Sequence, residues 1–327
     1  MLRFIVRRCL VLIPLFIGVT ILSFYIANLS PGDPVAMYLD PYEKPDPEKV
    51  EAIRRELGLD KPVITRYFLW LAKVLQGDLG YSLSSKRPVL AEIRARIGPS
   101  LLLSGTSLCI SFVLGISLGV YSAMNQYKAS DYVLTVLSFI GISMPTFWFA
   151  MLLIILLTGT LGWLPSVGMV SFNTPPGTWN HIVDVARHLV MPVTVTTLGS
   201  IAGWARMERS TMLEVLRQDY IRTARAKGIR ERFVIFRHAV RNAALPIITS
   251  LGMSLPGLIG GSFVIESIFG WPGMGRLGTQ AIFSRDYPII MGVNIISSLL
   301  IMLGNLAADV TYALVDPRIR YGGGAEK

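Results

Sequence analysis

The chain has 327 residues, of which 52% are hydrophobic and 16% are charged, and its formal net charge is +10. Together with a mean hydropathy of +0.53, this composition excludes an ordinary soluble domain and predicts a protein that crosses the membrane several times. Most of the excess Lys and Arg lies beside apolar runs, so membrane topology explains it better than nucleic-acid binding does. The two cysteines and three histidines show no ligand spacing and indicate neither a disulfide framework nor a metal centre.

Familiar catalytic motifs are absent from the sequence. It contains no GxxxxGKS/T phosphate loop, no HExxH zinc motif and no GxSxG nucleophile elbow. An intramembrane enzyme would need a nucleophile, a base or a metal set, and none can be assembled from this pattern. We therefore expect no enzyme activity in this chain, and any transport must draw its energy from a partner or from an ion gradient.

The N-terminal region combines three arginines with a long uncharged run. Arg3, Arg7 and Arg8 precede residues 9–32, which form too long an apolar run for a signal peptide and lack a small-residue cleavage site. Since Lys and Arg favour the cytoplasmic side of a span, we expect a cytoplasmic N-terminus and an uncleaved first span within residues 1–29.

Residues 30–96 are more polar and are predicted to form an extracytoplasmic insertion. Asp46-Pro47 and the segment from Asp60 to Pro62 are typical helix starts. The second helix is amphipathic, with these apolar residues at helical spacing: Val63, Ile64, Tyr67, Phe68, Leu71, Val74 and Leu75. It lies either against the outer membrane surface or other subunits, or within a small packed subdomain.

Six uncharged runs predict six spans. After the first run come residues 97–127, 132 into the 150s, 189–205, 242–265 and 287–308. We therefore expect an all-α integral membrane protein with a transmembrane core over residues 97–314 and a cytoplasmic tail over residues 315–327. An even number of spans places the C-terminus on the same side as the N-terminus.

The distribution of charge agrees with this topology. Residues 206–244 carry ten Lys and Arg against four Asp and Glu. The two short loops on the other side, 160–188 and 266–286, carry only three Lys and Arg between them. The positive-inside tendency therefore places the loop 206–244 in the cytoplasm.

Two pairs of glycines lie inside predicted spans. Gly115 and Gly119 form one GxxxG pair, and Gly257 and Gly261 form another. Such pairs let helix backbones approach closely. We interpret both as packing faces rather than as substrate contacts.

Proline and acidic residues supply the remaining candidates for a substrate pathway. Because proline removes a backbone hydrogen bond, kinks are expected at Pro145 and Pro256. Glu266, at the outer end of the fifth predicted span, could contact a substrate amine or a binding protein, but a structural pairing with Arg276 is favoured. The residues considered for the pathway are Pro145, Ser254, Gly257, Gly261 and Glu266.

A charged stretch between the fourth and fifth predicted spans predicts a short helix. Asp219 suits the N-cap position and Gly228 the residue after the C-cap, which bounds a helix over residues 220–227. Such a helix is about 12 Å long and marginal alone in water, so it needs a surface to pack against. The small Ala224 and Ala226 suit close approach to a partner. The alternative interpretation is a basic loop that only fixes topology.

The order Arg-Thr-Ala-Arg-Ala-Lys-Gly at residues 222–228 resembles the EAA loop of ABC importer permeases, whose short coupling helix docks in a groove of the ATPase subunit. It departs from the general pattern at Arg222 and Thr223, which replace Glu-Ala, and at residues 238–241, which replace Ile-x-Leu-Pro. The variant DYIRTARAKG followed by HAVRNAALP is similar to the peptide/nickel-type subfamily. Further segments resemble that subfamily: NLSPGDP at 28–34, GDLGYS at 77–82, SIFGWPGMGRL at 267–277 and DPRIRY at 316–321.

This resemblance implies an ABC type I importer permease fold, with the insertion between spans 1 and 2. It implies a bacterial inner-membrane complex with a homologous second permease, two ATPase subunits and an extracytoplasmic substrate-binding protein. The chain would bind no cofactor, since ATP and Mg are used by the partner ATPases. The residues assigned to ATPase coupling are Asp219, Tyr220, Arg222, Thr223, Ala224, Arg225, Ala226, Lys227, Gly228, His238 and Arg241.

Two alternatives stay open in the sequence. A secondary transporter driven by an ion gradient is the rival class, but such proteins place acids near the bilayer midplane and show internal repeats. None of the predicted spans has a central acid, and we find no repeat. The substrate is also open, because members of the subfamily carry dipeptides, oligopeptides, glutathione, nickel chelates or oligosaccharides.

Overall fold

The described residues are almost entirely helical. The computed structural model describes residues 2–29, 35, 46–56, 59–255 and 257–315. The α-helices in chain order are α1 (Leu2–Leu29), α2 (Pro47–Glu56), α3 (Val63–Leu75), α4 (Val89–Met124), α5 (Ala129–Ser143), α6 (Thr146–Leu153), α7 (Trp179–Leu216), α8 (Asp219–Ala226), α9 (Glu231–Phe233), α10 (Val240–Ala243), α11 (Leu245–Ser254), α12 (Gly257–Gly260), α13 (Phe263–Ile268), α14 (Met274–Phe283) and α15 (Tyr287–Val315). Two short π-helices, Ile154–Thr160 and Val234–Ala239, follow α6 and α9.

The chain divides into two compact units. One comprises Met1–Gly98 and Leu277–Leu306, and the other comprises Pro99–Arg276 and Ala307–Lys327. The first unit holds α1, α2, α3 and most of α15. The second holds α5 to α13 and contains every residue of the candidate sites discussed below.

Both predicted helix starts in the insertion are confirmed within one or two residues. Helix α2 begins at Pro47, and Asp46 Oδ1 accepts a hydrogen bond of 3.1 Å from the N–H of Glu48. Helix α3 begins at Val63 after the cap residue Pro62, without a side-chain cap. The first start therefore works as an N-cap, whereas the second depends on the fixed φ of proline.

In the first unit, α3 packs against α1 through aromatic side chains. Tyr67 Oη lies 2.9 Å from Thr20 Oγ1. The rings of Tyr67 and Trp70 contact the ring of Phe24 at centroid distances of 5.6 and 5.3 Å. Phe68, by contrast, is exposed. The predicted amphipathic helix therefore exists, and one of its edges packs on the first span.

A buried carboxylate fixes the end of the insertion. Ser82 Oγ and the N–H of Ser84 donate to Asp286 Oδ2 over 2.5 and 3.0 Å. Burial alone would raise the pKa of Asp286, but these hydrogen bonds outweigh it and leave that pKa below its ordinary value. The loop before α4 is thereby tied to the residue that precedes α15.

Helix α4 begins at Val89, eight residues before the start of the predicted second span at residue 97. The charged side chains of Glu92, Arg94 and Arg96 interrupt the apolar run but not the helix, because these residue types are good helix formers. Helix α7 likewise begins before the predicted fourth span and continues beyond it to Leu216. These two apolar runs therefore lie inside longer helices and do not mark the helix ends.

In the second unit, α4 and α7 approach each other closely at two glycines. A methyl group at Gly119 would lie 2.6 Å from Ala205 O and from Glu208 Cβ, and one at Gly115 would overlap the Cβ atom of Trp204. No side chain larger than hydrogen fits at these positions. The first GxxxG pair is therefore a packing face, as predicted.

The third predicted span is bent sharply at a proline. Helices α5 and α6 form an angle of 100° across a short break. Met144 has an extended backbone because the following Pro145 disfavours a helical conformation there. The predicted kink at Pro145 is confirmed, whereas Pro256 lies outside the described residues.

The fifth predicted span is not one helix in the structure. Helices α10, α11, α12 and α13 occupy residues 240–268 in short pieces. Gly261 separates the last two with a φ of +68°, a left-handed conformation that favours glycine. A methyl group at Gly257 would have no contact within 4 Å among the described residues. The second glycine pair is therefore not a helix-packing pair, and that interpretation is wrong.

Two hydrophobic clusters pack against α7, one in the first half of the helix and one near its C-terminal end. The cluster that we call the tryptophan core comprises Leu103, Ala150, Met191, Val193, Val195, Ile265, Phe269 and Trp271. The cluster that we call the loop core comprises Ala123, Met212, Ile221, Ala224, Val234, Ile235, Ala239 and Ala243. Met191 and Met212 are about 30 Å apart along the helix at 1.5 Å per residue. That separation is close to the hydrocarbon thickness of a bilayer.

Four helical segments of the described chain are long and apolar enough to cross a membrane. They are Arg8–Ile26, Val89–Met124, Trp179–Leu216 and Tyr287–Ala307. The bent pair α5 and α6 raises the count to five if it forms one span. The count of six stays a prediction, since the fifth predicted span is broken into shorter helices.

The contact at Gly119 gives a first testable prediction. Gly119→Ala should destabilise the protein by about 1–3 kcal/mol, because the added methyl group forces α4 and α7 apart. Gly105→Ala is the matched control on the same helix, since no described residue lies within 4 Å of a methyl group placed there. Thermal unfolding in detergent should show a loss for Gly119→Ala and no loss for Gly105→Ala. Equal unfolding temperatures would contradict the close approach.

Candidate functional site

The short helix α8 begins one residue before the predicted start. Its cap residue is Gln218, which has an extended backbone and makes no side-chain cap hydrogen bond. Asp219 is the first helical residue, with its carboxylate 3.7 Å from the guanidinium of Arg222 and 96% exposed. The predicted N-cap role of Asp219 is wrong, although an acid in the first turn still favours the positive end of the helix dipole.

The C-terminal end of α8 follows the prediction. Gly228 has a φ of +73°. Its N–H donates to Arg225 O over 2.9 Å, and the N–H of Ile229 donates to Ala224 O over 3.3 Å. This pair of bonds is a Schellman motif, which satisfies two terminal carbonyls and turns the chain away from the helix axis.

One face of α8 is buried in the loop core of the chain itself. Ile221 is 0% and Ala224 is 6% exposed. They pack with Met212 of α7 and with Val234 and Ile235 of the following π-helix. The expectation that Ala224 faces a partner is therefore wrong, because its side chain fills a space inside this protein.

The opposite face of α8 is exposed. The Arg222 side chain is 78% exposed, and Thr223, Ala226 and Lys227 are exposed as well. Any partner that contacts α8 must therefore meet this face, which carries two cations around a small residue.

Arg225 and Tyr220 have partners within the same loop. Arg225 donates from Nη2 and Nε to the two carboxylate oxygens of Glu231 over 2.7 and 3.1 Å. The hydrogen bond from Arg225 holds the pKa of Glu231 below its ordinary value. Tyr220 Oη accepts from Asn242 Nδ2, which also donates to His238 O. These bonds tie α8 to the segment that leads into α10.

The two remaining predicted coupling residues lie on that segment. His238 is half-buried at the end of the π-helix Val234–Ala239, and Arg241 is exposed on α10. Between them, Ala239 is fully buried in the loop core. The structure therefore places both residues next to the cluster that holds α8, on its more exposed side.

A buried ion pair that the sequence pattern did not reveal joins α5 to α7. Arg209 donates from Nε and Nη2 to the two carboxylate oxygens of Asp131, each over 2.8 Å. Ser122 Oγ and the N–H of Tyr127 also donate to Asp131. The Asp131 side chain is only 3% exposed, so this bidentate pair fixes α4, α5 and α7 together beside the loop core. The sequence feature that could have indicated this ion pair is Asp131 itself, a single acid directly before an uncharged run.

Glu208, the neighbour of Arg209 on α7, has a contrasting environment. It is 0% exposed, and neither carboxylate oxygen has a hydrogen-bond partner among the described residues. Its Cβ atom lies against the position of Gly119. Glu208 is therefore the one fully buried acid of this region that the described residues leave unsatisfied.

Glu266 is fully buried and caps a helix. Its carboxylate accepts from Ser100 Oγ over 2.8 Å and from the N–H of Arg276 over 3.0 Å. The N–H of Met274 donates to Ser100 Oγ over 2.8 Å, and Gly275 is also hydrogen-bonded to Glu266. The first three residues of α14 thus have their free N–H groups satisfied by these two side chains.

Arg276 is the predicted partner of Glu266, but the contact is made by its backbone and not by its guanidinium group. Glu266 binds the backbone N–H of Arg276, whereas the Arg276 guanidinium donates to Gly270 O. Gly261, a predicted pathway residue, lies beside this carboxylate, since a methyl group there would be 2.5 Å from Glu266 Oε1. Gly261 and Glu266 therefore belong to one structural cluster.

The other predicted pathway residues are apart from that cluster. Pro145 is exposed at the bend between α5 and α6. Ser254 ends α11, is half-buried and donates to Ser250 O over 2.9 Å. Gly257 is exposed at the start of α12. The structure thus brings together only two of the five predicted pathway residues.

Comparisons with known proteins identify the family. The family described as "Binding-protein-dependent transport system inner membrane component" matches residues 115–321, and its N-terminal companion matches residues 1–103. The oligopeptide transport system permease protein AppB of Bacillus subtilis is 45% identical over 98% of this chain and 100% of its own length. A putative peptide permease protein of Brucella ovis is 41% identical over 98% of this chain and 99% of its own length. The glutathione transport system permease protein GsiC of Escherichia coli is 37% identical over 98% of this chain and 100% of its own length.

A solved structure supports the fold independently. A chain of the MetNI methionine ABC transporter, in an inward-facing conformation, matches with a TM-score of 0.51 at 19% identity. The match covers 68% of this chain and 96% of that chain. At this identity it shows the fold alone, and that fold is the all-α ABC importer permease fold that the sequence predicted.

The chain belongs to the family of binding-protein-dependent transport system inner membrane components. It is a permease subunit of a peptide-type ABC importer, a multi-pass inner-membrane protein that is not itself an enzyme. Such permeases work with ATPase and substrate-binding components. The predicted family, fold class and function are confirmed, and a subunit without a cofactor of its own is consistent with them.

The cap on α14 gives the second prediction. Glu266→Gln replaces one accepting oxygen by an NH₂ group, so a buried N–H or O–H donor loses its partner at a cost of about 1–3 kcal/mol. The purified protein should unfold at a lower temperature, whereas Glu214→Gln, at an exposed acid of α7, should not. Unchanged unfolding together with weakened uptake would instead assign Glu266 to the substrate.

The end of α8 gives the third prediction. Gly228→Val places a β-branched residue at positive φ and should destabilise the protein by about 1–3 kcal/mol. Gly228→Asn should cost less, because asparagine tolerates the left-handed conformation. A methyl group at this position meets nothing within 4 Å, so crowding cannot explain a difference. Thermal unfolding of both variants measures it, and equal losses would contradict the backbone argument.

Proposed function

We propose that this chain forms, with a homologous second permease, the pathway by which peptides or a related small solute such as glutathione enter the cell. Two ATPase subunits that hydrolyse Mg-ATP drive the cycle, and an extracytoplasmic binding protein delivers the substrate. The names of the full-length relatives, two of them peptide or oligopeptide permeases and one a glutathione permease, support this class of substrate.

The observation that carries the proposal is the way α8 packs: one face is buried in this chain and the opposite face is exposed. Its inner face, Ile221 and Ala224, is held in the loop core by Met212 of α7. Its outer face, around Arg222 and Ala226, is exposed. A displacement applied to the outer face is therefore passed to α7 through packed side chains. We assign this outer face to the groove of an ATPase subunit.

The two clusters that pack against α7 support an orientation for the whole chain. The loop core and the tryptophan core are separated by about the thickness of a bilayer. The loop core lies within the basic loop 206–244 and its surroundings, which favours the cytoplasmic side. We therefore place both termini and the tail 315–327 in the cytoplasm, and the insertion 30–96 outside.

For the substrate pathway we propose the broken segment formed by α11 and α12, including Ser254 and Gly257, and the bend at Pro145. Transporters commonly bind their substrates where spanning helices are interrupted. Gly261 and Glu266 are assigned a supporting role, because the buried carboxylate is engaged with Ser100 and the start of α14. Because the chain belongs to a family of binding-protein-dependent transport components, no observation favours the alternative, an ion-driven secondary transporter.

The coupling role gives the fourth prediction. Ala226→Glu adds a charge to the exposed face of α8, so the protein should fold and insert normally. The same variant should lose the co-purifying ATPase, or keep it with uptake uncoupled from hydrolysis. Ala224→Glu is the matched contrast, because it buries an unpaired carboxylate in the loop core and should destabilise the permease itself by several kcal/mol.

Three measurements separate these outcomes: thermal unfolding, co-purification of the ATPase, and substrate uptake in proteoliposomes with the binding protein. Normal unfolding with lost coupling in Ala226→Glu supports the proposal. Wild-type uptake and wild-type ATPase binding in that variant would refute the docking of α8. It would leave the family membership and the permease fold untouched.

A further inference from the structure

A cleft between α4, α5 and α7 combines a charged end with an apolar wall. It has a volume of about 190 Å³. Its lining residues are Leu118, Ser122, Leu134, Thr135, Ser138, Phe139, Ile142, Ala205, Arg206 and Arg209. All three helices contribute, and every lining residue belongs to the same compact unit. The cleft is distinct from α8 and from the broken segment proposed for the substrate.

The hydrogen-bonding groups that the cleft offers to a ligand are donors, which favour an anion. Arg206 is exposed and forms no hydrogen bond or ion pair with any residue that the structure describes. Arg209 uses Nε and Nη2 on Asp131, and no described residue accepts a hydrogen bond from its Nη1. The hydroxyls of Thr135 and Ser138 already donate to carbonyls of their own helix. The free donors are therefore guanidinium N–H groups, which match phosphate oxygens well.

The order of residues along α5 gives the cleft a direction. Arg209 meets Asp131 in the first turn of α5, and Arg206 lies three residues before Arg209 on α7, about one turn closer to the start of that helix. Phe139 and Ile142 lie two to three turns farther along α5, at its apolar end. The cations are thus at the end of the span and the apolar wall runs towards its middle, which is the arrangement of an amphiphile in a bilayer.

The surroundings of the cleft are also compatible with lipid. On α5, Val133, Leu137 and Ile140 are exposed, and Leu114 and Tyr121 are exposed on α4. The volume is below the roughly 300–1,000 Å³ of typical small-molecule sites. It therefore suits a headgroup phosphate with the adjoining glycerol, while acyl chains lie on the flanking apolar surface. A free phosphate ion would make no use of the apolar wall.

We propose that this cleft binds the headgroup of an anionic phospholipid, with the phosphate on Arg206 and Arg209 and the acyl chains along Phe139 and Ile142. Basic pockets between spanning helices are a known means of recognising anionic headgroups. The bound lipid bridges α5 and α7 next to the Asp131–Arg209 pair. This role goes beyond transport of the substrate and does not depend on which solute the permease carries.

The test uses the purified transport complex, delipidated in detergent and titrated with phosphatidylglycerol while native mass spectrometry counts bound lipids. Arg206→Gln should weaken phosphatidylglycerol binding roughly tenfold, the loss expected for one charge-assisted hydrogen bond. Arg206→Lys should retain most of the binding. Arg217→Gln is the matched control, since Arg217 is an exposed arginine three turns farther on, at the C-terminal cap of α7 and outside the cleft.

Further probes decide among the possible occupants. Phosphatidylcholine should bind more weakly than phosphatidylglycerol, and inorganic phosphate at millimolar concentration should not compete. Equal loss in Arg206→Gln and Arg217→Gln, or full competition by inorganic phosphate, would overturn the proposal. So would a disulfide between Ser138→Cys and a cysteine in the second permease, because the cleft would then be a subunit interface.

A photoactivatable phosphatidylglycerol gives a readout that needs no variant. With the reactive group in the acyl chain, cross-linking of the wild-type complex should label the peptide that contains Phe139 and Ile142. If Arg206→Gln fails to fold, this measurement still decides the question. Labelling spread evenly over exposed spans, with no enrichment on α5, would exclude a specific site.

Discussion

The burial of Ile221 and Ala224 against Met212 is the contact on which the loop 206–244 of this permease depends. Helix α8 has only eight residues, and a helix of that length does not persist alone in water. Its two apolar side chains are therefore what keeps it in place, with the π-helix Val234–Ala239 closing over them. The Schellman turn at Gly228 and the ion pair between Arg225 and Glu231 then fix the return of the chain.

Two buried acids of the second unit, Asp131 and Glu266, show how charge is accommodated beside a membrane. Asp131 is neutralised by a bidentate arginine and two further donors, and Glu266 is satisfied by Ser100 and backbone N–H groups at a helix start. Both arrangements replace water with fixed donors, as a low-dielectric environment requires. Each also joins segments far apart in the sequence, so the polar groups specify which helices pack together.

Local signals explain which features could be predicted from the sequence. The N-cap at Asp46, the bend at Pro145, the left-handed turn at Gly228 and the close packing at Gly119 each follow from the stereochemistry of a residue and its neighbours. The inward orientation of Ala224 did not follow. Small size predicts close packing but does not say whether the neighbour is another protein or the same chain.

Two other features could not be predicted from the sequence, for a different reason. They are the break in the fifth predicted span and the partners of the buried acids. Glu266 meets Ser100 across 166 positions of sequence, and Arg209 meets Asp131 across 78. No local pattern encodes such pairs. The apolar run 242–265 likewise shows that this segment is hydrophobic but does not show whether it forms one continuous helix. At Gly261 the helix is interrupted by a left-handed backbone conformation, which depends on the neighbours of Gly261 in the folded structure.

Continuity of the helices suggests how the parts divide the work of transport. Helix α7 is continuous over 38 residues and packs against one cluster in its first half and another near its C-terminal end, so it can transmit a displacement between them. Its contact with α4 at Gly115 and Gly119 leaves no room for sliding. The helical path is interrupted at Pro145 and is divided into short helices from α10 to α13. A cycle that rocks the permease is therefore expected to keep the α4–α7 pair rigid and to change backbone angles at the interruptions, where the proposed pathway lies.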